Sequence, residues 1–233
     1  MSRVSALEMA FAFMLRSPKY EASDGVGFNG QLHRKLIFKD ATILLQCRSI
    51  VETGTYCGDT TAFMAENSNL PVFSCEANPI FQSLAISRLK EIGGIHFYLS
   101  DSRQFLKALF QSTEFAPHKQ APVLFYLDAH WHHDLPLEDE IDIICRSVHD
   151  FAILVDDFAV PGDPGYTYDN YGMGKSLDLT TFGSCFKRND LSVFFPSLPS
   201  ASESGGRRGC VLLSSRSQAE TIRRQKSVKE HSL

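Results

Sequence analysis

The sequence predicts an α/β protein: a Rossmann-like, doubly wound, mostly parallel seven-stranded sheet with a C-terminal antiparallel strand pair. Three observations carry this. Short apolar runs alternate with stretches of helical length from residue 49 to residue 157. The runs Phe125-Tyr126-Leu127-Asp128 and Ile153-Leu154-Val155-Asp156-Asp157 are apolar until they end in carboxylate. Strands covered on both faces read this way, and their carboxyl edge is where such sheets bind ligands. Finally, two runs between residues 191 and 213 are joined by a Pro/Ser/Gly connection too short for a crossover helix, which requires antiparallel pairing.

Taken in order, residues 6–15 are apolar but contain Glu8, and no small-residue cleavage site follows, so they read as a short docking helix rather than a signal peptide. Residues 30–48 read as a helix whose buried face carries Leu32, Leu36, Ile37, Leu44 and Leu45. Residues 1–48 thus form an N-terminal helical segment packing on the core or lid. Residues 49–52 are the first strand; the turn Thr53-Gly54-Thr55-Tyr56-Cys57-Gly58 leads to a helix over 59–66. The second strand is 72–76, and Asn78-Pro79 opens a helix to about residue 92, with Asn as cap and Pro in the first turn. A third strand, 95–99, precedes Asp101-Ser102 and a helix over 102–111, and a helix over 136–148 separates the two acid-ended strands. Residues 158–175 hold Pro161, Gly162, Pro164, Gly165, Gly172 and Gly174, a long loop expected over the site. Strands over 191–195 and 210–213 complete a domain of residues 49–215, leaving 216–233 as a polar, mobile tail.

Composition bounds the function. At 233 residues and 43% hydrophobic, the chain supports one sizeable core. A net charge of −4 argues against a nucleic-acid partner, and the basic residues Arg207, Arg208, Arg216, Arg223 and Arg224 read as a short solvated group. No apolar run approaches the roughly 18 residues needed to span a bilayer, so no membrane partner is expected. Six scattered cysteines without a CxxC pair indicate reduced thiols and a cytoplasmic enzyme. A homo-oligomer is compatible with all of this.

The chemistry gathers at the carboxyl edge. Gly54 and Gly58 allow a tight turn and a close backbone approach, and the helix that follows can receive an anionic group; equally, such glycines serve packing alone. Their spacing is not the GxGxxG of dinucleotide binders, which disfavours a nicotinamide-dependent oxidoreductase. Glu76 closes the second strand where an acid usually holds ribose hydroxyls. Asp128, Asp156 and Asp157 together suit a hard divalent cation such as Mg²⁺, although Asp156-Asp157 could instead cap the following turn.

In sequence order, Glu52-x-Gly54-x-Tyr56-Cys57-Gly58, Glu76-x-Asn78-Pro79, Ser102, Leu127-Asp128 with His130-Trp131, and Asp156-Asp157 followed by Val160-Pro161-Gly162-x-Pro164 resemble the class I S-adenosylmethionine-dependent methyltransferases. The likeness is greatest to the metal-dependent catechol O-methyltransferase type and related sugar O-methyltransferases, and spans roughly residues 49–165. Asn29-Gly30-Gln31 with Arg34 is similar to a preamble of bacterial methyltransferases. The resemblance implies that Gly54, Tyr56 and Gly58 line the methionine part of S-adenosylmethionine, that Glu52 belongs to the same cofactor site and that Glu76 holds the ribose. Ser102 and His130 or Trp131 would meet the adenine, and Asp128, Asp156 and Asp157 would hold Mg²⁺. Where relatives often carry asparagine this chain has Asp157, which keeps an oxygen ligand and adds charge.

The implied reaction is metal-assisted O-methylation of a hydroxyl on a small molecule or sugar. The catechol type uses a lysine soon after the strand-four acid as base; this chain has none there, so His130, His132 and His133 are the candidates. That departure, with lid tyrosines Tyr166, Tyr168 and Tyr171 that either stack on an acceptor ring or pack the loop down, disfavours a catechol. Two other readings share the fold: a metal-dependent hydroxylase-like enzyme, and a non-catalytic small-molecule binder. Two histidines meeting one aspartate would favour redox iron, whereas three aspartates converging alone would favour Mg²⁺ and methyl transfer.

Overall fold

The computed structural model describes residues 27–130, 134–172 and 174–233. The expected docking helix over 6–15, Trp131, His132 and His133 lie outside the described residues. Eight strands form a single sheet: β1 (Ser49–Thr53), β2 (Val72–Glu76), β3 (Ile95–Leu99), β4 (Val123–Leu127), β5 (Phe151–Asp156), β6 (Ser192–Pro196), β7 (Cys210–Ser214) and β8 (Val228–His231). Their order is β3-β2-β1-β4-β5-β7-β6-β8; β3 to β5 pair in parallel, and β7, β6 and β8 are antiparallel. The chain reverses direction of travel between β1 and β4, and the crevice outside their carboxyl ends is the binding position of such sheets.

Period-two alternation builds two cores. Along β4, Val123, Phe125 and Leu127 join one apolar cluster, while Leu124 and Tyr126 join the other. The first cluster is covered by α4 (Ser102–Gln111), α5 (Leu137–Ser147) and α6 (Leu179–Arg188). The second is covered by α1 (Leu32–Leu44), α2 (Asp59–Ser68) and α7 (Ala219–Arg223); α3 (Pro79–Leu89) follows β2. The α3 start is as read from sequence, with Asn78 Oδ1 accepting the Ile80 N–H at 2.9 Å and Pro79 in the first turn. Asp101 likewise caps α4.

Three expectations need correction. The buried face of α1 is His33, Arg34, Ile37, Phe38, Ala41 and Thr42, whereas Leu32 (64%), Leu36 (42%) and Leu44 (40%) are exposed. The helix is turned by the burial of Arg34, which hydrophobic spacing does not register. Residues 216–233 are not a free tail: they form α7 and β8, and β8 pairs along β6 from Val193↔His231 to Pro196↔Val228. The sheet therefore has eight strands. Only Val228 of β8 is buried, so its pairing rests on backbone hydrogen bonds that side-chain pattern does not record. Helix α6 had no counterpart in the sequence reading; its buried Phe182, Cys185 and Phe186 occupy one stripe.

None of the six cysteines forms a disulfide, and all but Cys145 are buried. Among the described residues no helix is long and apolar enough to cross a membrane.

Candidate active site

Asp128 is the first residue beyond β4, and its N–H continues the ladder by donating to Thr53 O at 2.9 Å. Directly beside it, Gly54 leaves β1 at φ +88°; a Cβ there would lie 2.3 Å from Asp128 O. The need for glycine at 54 thus comes from the neighbouring strand end, the packing alternative, and the same contact fixes the backbone that carries Asp128. Two residues on, His130 is 6% exposed, and its Nε2 has no hydrogen-bond partner. Nε2 lies 3.7 Å from Asp128 Oδ1 and 3.9 Å from Asp169 Oδ2.

At the end of β5 the paired aspartates part company. Asp156 is 2% exposed; its Oδ2 accepts the Tyr126 hydroxyl, and its Oδ1 meets the Arg34 guanidinium and accepts the Asp157 N–H. Asp156 is therefore an internal anchor, and the expected cation ligand at this position is corrected: it is enclosed, and both its oxygens are taken up inside the fold by Arg34, Tyr126 and the Asp157 N–H. It also fulfils the turn-capping alternative. Asp157, at φ +53°, turns the other way. Among the described residues the ligand group that forms is Asp128, His130 and Asp157, with one donor atom from each mutually within 4.8 Å. Among the described residues the three aspartates do not converge alone, and His130 joins Asp128 and Asp157.

The loop after β5 does cover this edge. The Asp169 N–H donates to Asp157 O at 3.0 Å, and Thr167 runs beside Arg208, with Gly209 N–H donating to Thr167 O at 2.7 Å. Arg208 spans the mouth: its Nε is 2.7 Å from Asp157 Oδ1, its Nη2 is 2.6 Å from Asp157 Oδ2, and it also pairs with Asp169. The preamble residues hold Arg208 from behind. Gln31 accepts the Arg208 N–H at 3.0 Å and donates to its carbonyl at 2.7 Å, and Arg34 donates to Gly209 O at 3.0 Å. Of the lid tyrosines, Tyr166 is buried and packs the loop down through hydrogen bonds with His33 Nδ1 and Leu198 O. Tyr171 donates to Asp169, and Tyr168 is exposed.

On the other side of Gly54, Glu76 accepts the N–H groups of Tyr56 and Asn78, each at 2.8 Å, through different oxygens. Tyr56 adopts φ +50° to aim that N–H and lies half exposed against Phe81. Left-handed backbone at a bulky residue costs on the order of 1–3 kcal/mol and gathers at ligand-handling positions. Gly58 is the α2 N-cap at φ +84°, packed against Leu89. Two expected cofactor contacts are internal instead. Glu52 is fully buried, its Oε2 accepting from Thr61 and Ser74 at 2.5 Å each, so it braces the turn from beneath. Ser102 is also buried, beside the enclosed Glu140 carboxyl.

No family model matches the chain, and no curated protein matches it significantly. Solved structures do. TomG, an O-methyltransferase from Streptomyces achromogenes solved with S-adenosylmethionine, matches with a TM-score of 0.58 at 15% identity, covering 92% of this chain and 91% of its own. An O-methyltransferase from Bacillus cereus solved with S-adenosylhomocysteine matches with a TM-score of 0.57 at 13% identity and 93% coverage of both chains. A methyltransferase from Aquifex aeolicus matches with a TM-score of 0.53 at 8% identity, covering 91% and 98%. The chain has the methyltransferase fold.

On a methyltransferase fold, the charge balance at this edge favours a cation. Asp156 is neutralised by Arg34, and Arg208 faces Asp157 and Asp169 together, which leaves Asp128 and a share of negative charge uncompensated. Burial, then the charges of Asp156 and Asp157, raises the Asp128 carboxyl well above the ordinary range. Burial, then Asp156, pushes Asp157 up to about 6 despite Arg208. Burial lowers His130, keeping its imidazole neutral and its nitrogen available as a donor. Two crowded carboxylates and an unpartnered neutral imidazole fit a divalent ion. Sequence reasoning missed Asp169 and Arg208, which reach the site only through the lid and the β6–β7 connection. The preamble arginine, Arg34, meets its partner Asp156 across 122 positions of sequence, a distance that local pattern does not span.

Proposed function

We propose that this protein transfers the methyl group of S-adenosylmethionine to a hydroxyl of a small molecule or glycan, assisted by a divalent cation between Asp128 and Asp157. One observation carries the reading: those carboxylates converge with His130 at the carboxyl edge of a methyltransferase fold, Asp128 one strand from the Gly54 turn and two from Glu76. Glu76 is positioned to receive ribose hydroxyls, because a carboxylate has about four lone-pair sites and two backbone N–H groups use only part of them. Tyr56 and the α2 N-terminus border the methionine end.

The donor arrives with its methyl already activated on sulfonium, so the chain must bind, orient and deprotonate the acceptor. A bound divalent cation supplies charge stabilisation and lowers the pKa of an acceptor hydroxyl. Asp128 and Asp157 fix that position relative to the donor, and holding two reactants in line removes much of the barrier. A histidine of the 130–133 run accepts the proton. Asp169, Tyr171 and Arg208 close the acceptor side against water.

Calorimetric titration with S-adenosylmethionine, with Mg²⁺ and with a chelator, tests the reading. Binding is expected, and Glu76→Ala is expected to weaken it about tenfold, roughly 1.4 kcal/mol. Unchanged affinity in that variant rejects the ribose role, and no binding by the wild type rejects the transferase. A second reading draws on the imidazole that joins the carboxylates among the described residues: a hydroxylase-like enzyme using the same cluster with redox iron. Iron-dependent product formation without methyl transfer would select it.

A further inference from the structure

We propose that the ion position uses His130 Nε2 as its third protein ligand, beside Asp128 and Asp157, and therefore selects a first-row d-block divalent ion, Mn²⁺ and Co²⁺ included, over Mg²⁺. The inference rests on the metal-assisted reading above and adds the identity of the ion and the role of His130.

The geometry comes first. Nε2 is 3.7 Å from Asp128 Oδ1 and 3.9 Å from Asp169 Oδ2, too far for a hydrogen bond to either. Ligands about 2.1 Å from a shared ion, at angles between 90° and 120°, stand roughly 3.0–3.6 Å apart. The Asp128–His130 separation is close to that spacing, and the Asp157 donor falls within the same 4.8 Å group. The His130 side chain is 3% exposed. A polar ring nitrogen that far inside, with no hydrogen-bond partner, costs about 1–3 kcal/mol unless something else satisfies it. The carboxylates of Asp128 and Asp169 lie within 4 Å of it, and an ion held by Asp128, His130 and Asp157 gives the ring nitrogen a partner while Asp157 keeps its pairing with Arg208.

Ligand chemistry then decides which ion. Mg²⁺ is a hard cation that prefers oxygen and retains water, and an imidazole nitrogen adds little to its binding. Imidazole is a preferred ligand of Fe, Zn, Ni and Cu, and carboxylates suit Mn; affinity at a mixed nitrogen and oxygen site rises along the first-row series. Asp128, Asp157 and Asp169 together with Arg208 carry a formal charge of −2, which matches the dication. With His130 bound through Nε2, the proton-accepting role passes to His132 or His133.

The test uses the full chain stripped with chelator. Mn²⁺ binding is followed by electron paramagnetic resonance, Co²⁺ by its visible bands, Mg²⁺ by competition, and S-adenosylmethionine by calorimetry in the same samples. Mn²⁺ and Co²⁺ are expected to bind one site at least about tenfold more tightly than Mg²⁺. Pulsed resonance of bound Mn²⁺ is expected to carry a nitrogen coupling. His130→Gln and His130→Ala, checked for folding by thermal unfolding, are expected to abolish the coupling and reduce the preference to about twofold, with Mg²⁺ affinity nearly unchanged. Equal wild-type affinities for Mg²⁺ and Mn²⁺, or a preference that survives both variants, overturn the inference and leave methyl transfer standing. Absence of any divalent binding overturns it as well. Failure of S-adenosylmethionine alone to bind would sink the transferase reading, while the Co²⁺ and Mg²⁺ comparison still decides the ligand role of His130.

Discussion

Arg34 and Asp156 form an ion pair from which water is excluded on both sides, the arginine side chain fully buried and the carboxylate 2% exposed. It joins α1 to the end of β5 and leaves Asp157 to face the mouth. A buried pair is strongly destabilised when only one member is removed, because the survivor keeps its charge without a partner. Arg34→Met is expected to lower the unfolding free energy by about 3–5 kcal/mol in urea titration. The double variant Arg34→Met with Asp156→Leu should recover much of that loss. A single variant as stable as the wild type would show that the pair holds nothing together.

Asp128 and Asp157 should behave differently from Asp156. Asp128→Asn and Asp157→Asn are expected to retain S-adenosylmethionine affinity within about twofold and to lose cation affinity by roughly 10–100-fold. Their thermal midpoints should stay near that of the wild type, whereas Asp156→Ala should unfold early. Equal behaviour of all three aspartates would return Asp156 to the ligand set.

Gly54 separates packing from ligand contact. A methyl group there would meet Asp128 O at 2.3 Å, and φ +88° is a conformation that alanine avoids. Gly54→Ala is expected to cost about 1–3 kcal/mol with no ligand present and to weaken cation binding through the displaced Asp128 backbone. Normal ligand-free stability, with only donor binding lost, would make Gly54 a cradle residue instead.

Glu52 supplies a pH signature. Burial raises its carboxyl from 4.5 to about 7, with Ser74 and Thr61 offsetting part of the shift. Between those values the folded chain keeps a proton that the unfolded chain releases, so this group's effect is a loss of stability as pH rises through the window. The loss is about 3 kcal/mol when complete. Glu52→Gln retains an acceptor for both hydroxyls and removes the titration. Its stability relative to the wild type is expected to rise between pH 5 and pH 8; a constant difference would place the proton elsewhere.

The strands were legible because covered sheet strands announce themselves: β2 and β3 have the limits read from their apolar runs, and β4 and β5 end at the acids that marked them. The α3 and α4 starts were legible because Asn78-Pro79 and Asp101 act within two or three residues of themselves. The division of labour between Asp156 and Asp157 was not. Adjacent residues of the same kind look alike until one meets a distant arginine. Glu52 and Ser102 carry polar side chains that point inward to partners on other elements, which their sequence neighbours do not reveal. His130 is one of three histidines in its run, and its enclosure and unpartnered nitrogen depend on Asp128 and Asp169 coming near it, which the sequence does not record.

The grip of Gln31 and Arg34 on residues 208–209 has a practical reach. Trimming the chain back to the first strand, at Ser49, would discard the counter-charge of Asp156 and the support of Arg208 together. The smallest autonomous unit should therefore start upstream of the sheet, near Phe28, and a fragment of residues 49–215 is expected to be insoluble or molten even though it contains every strand up to β7.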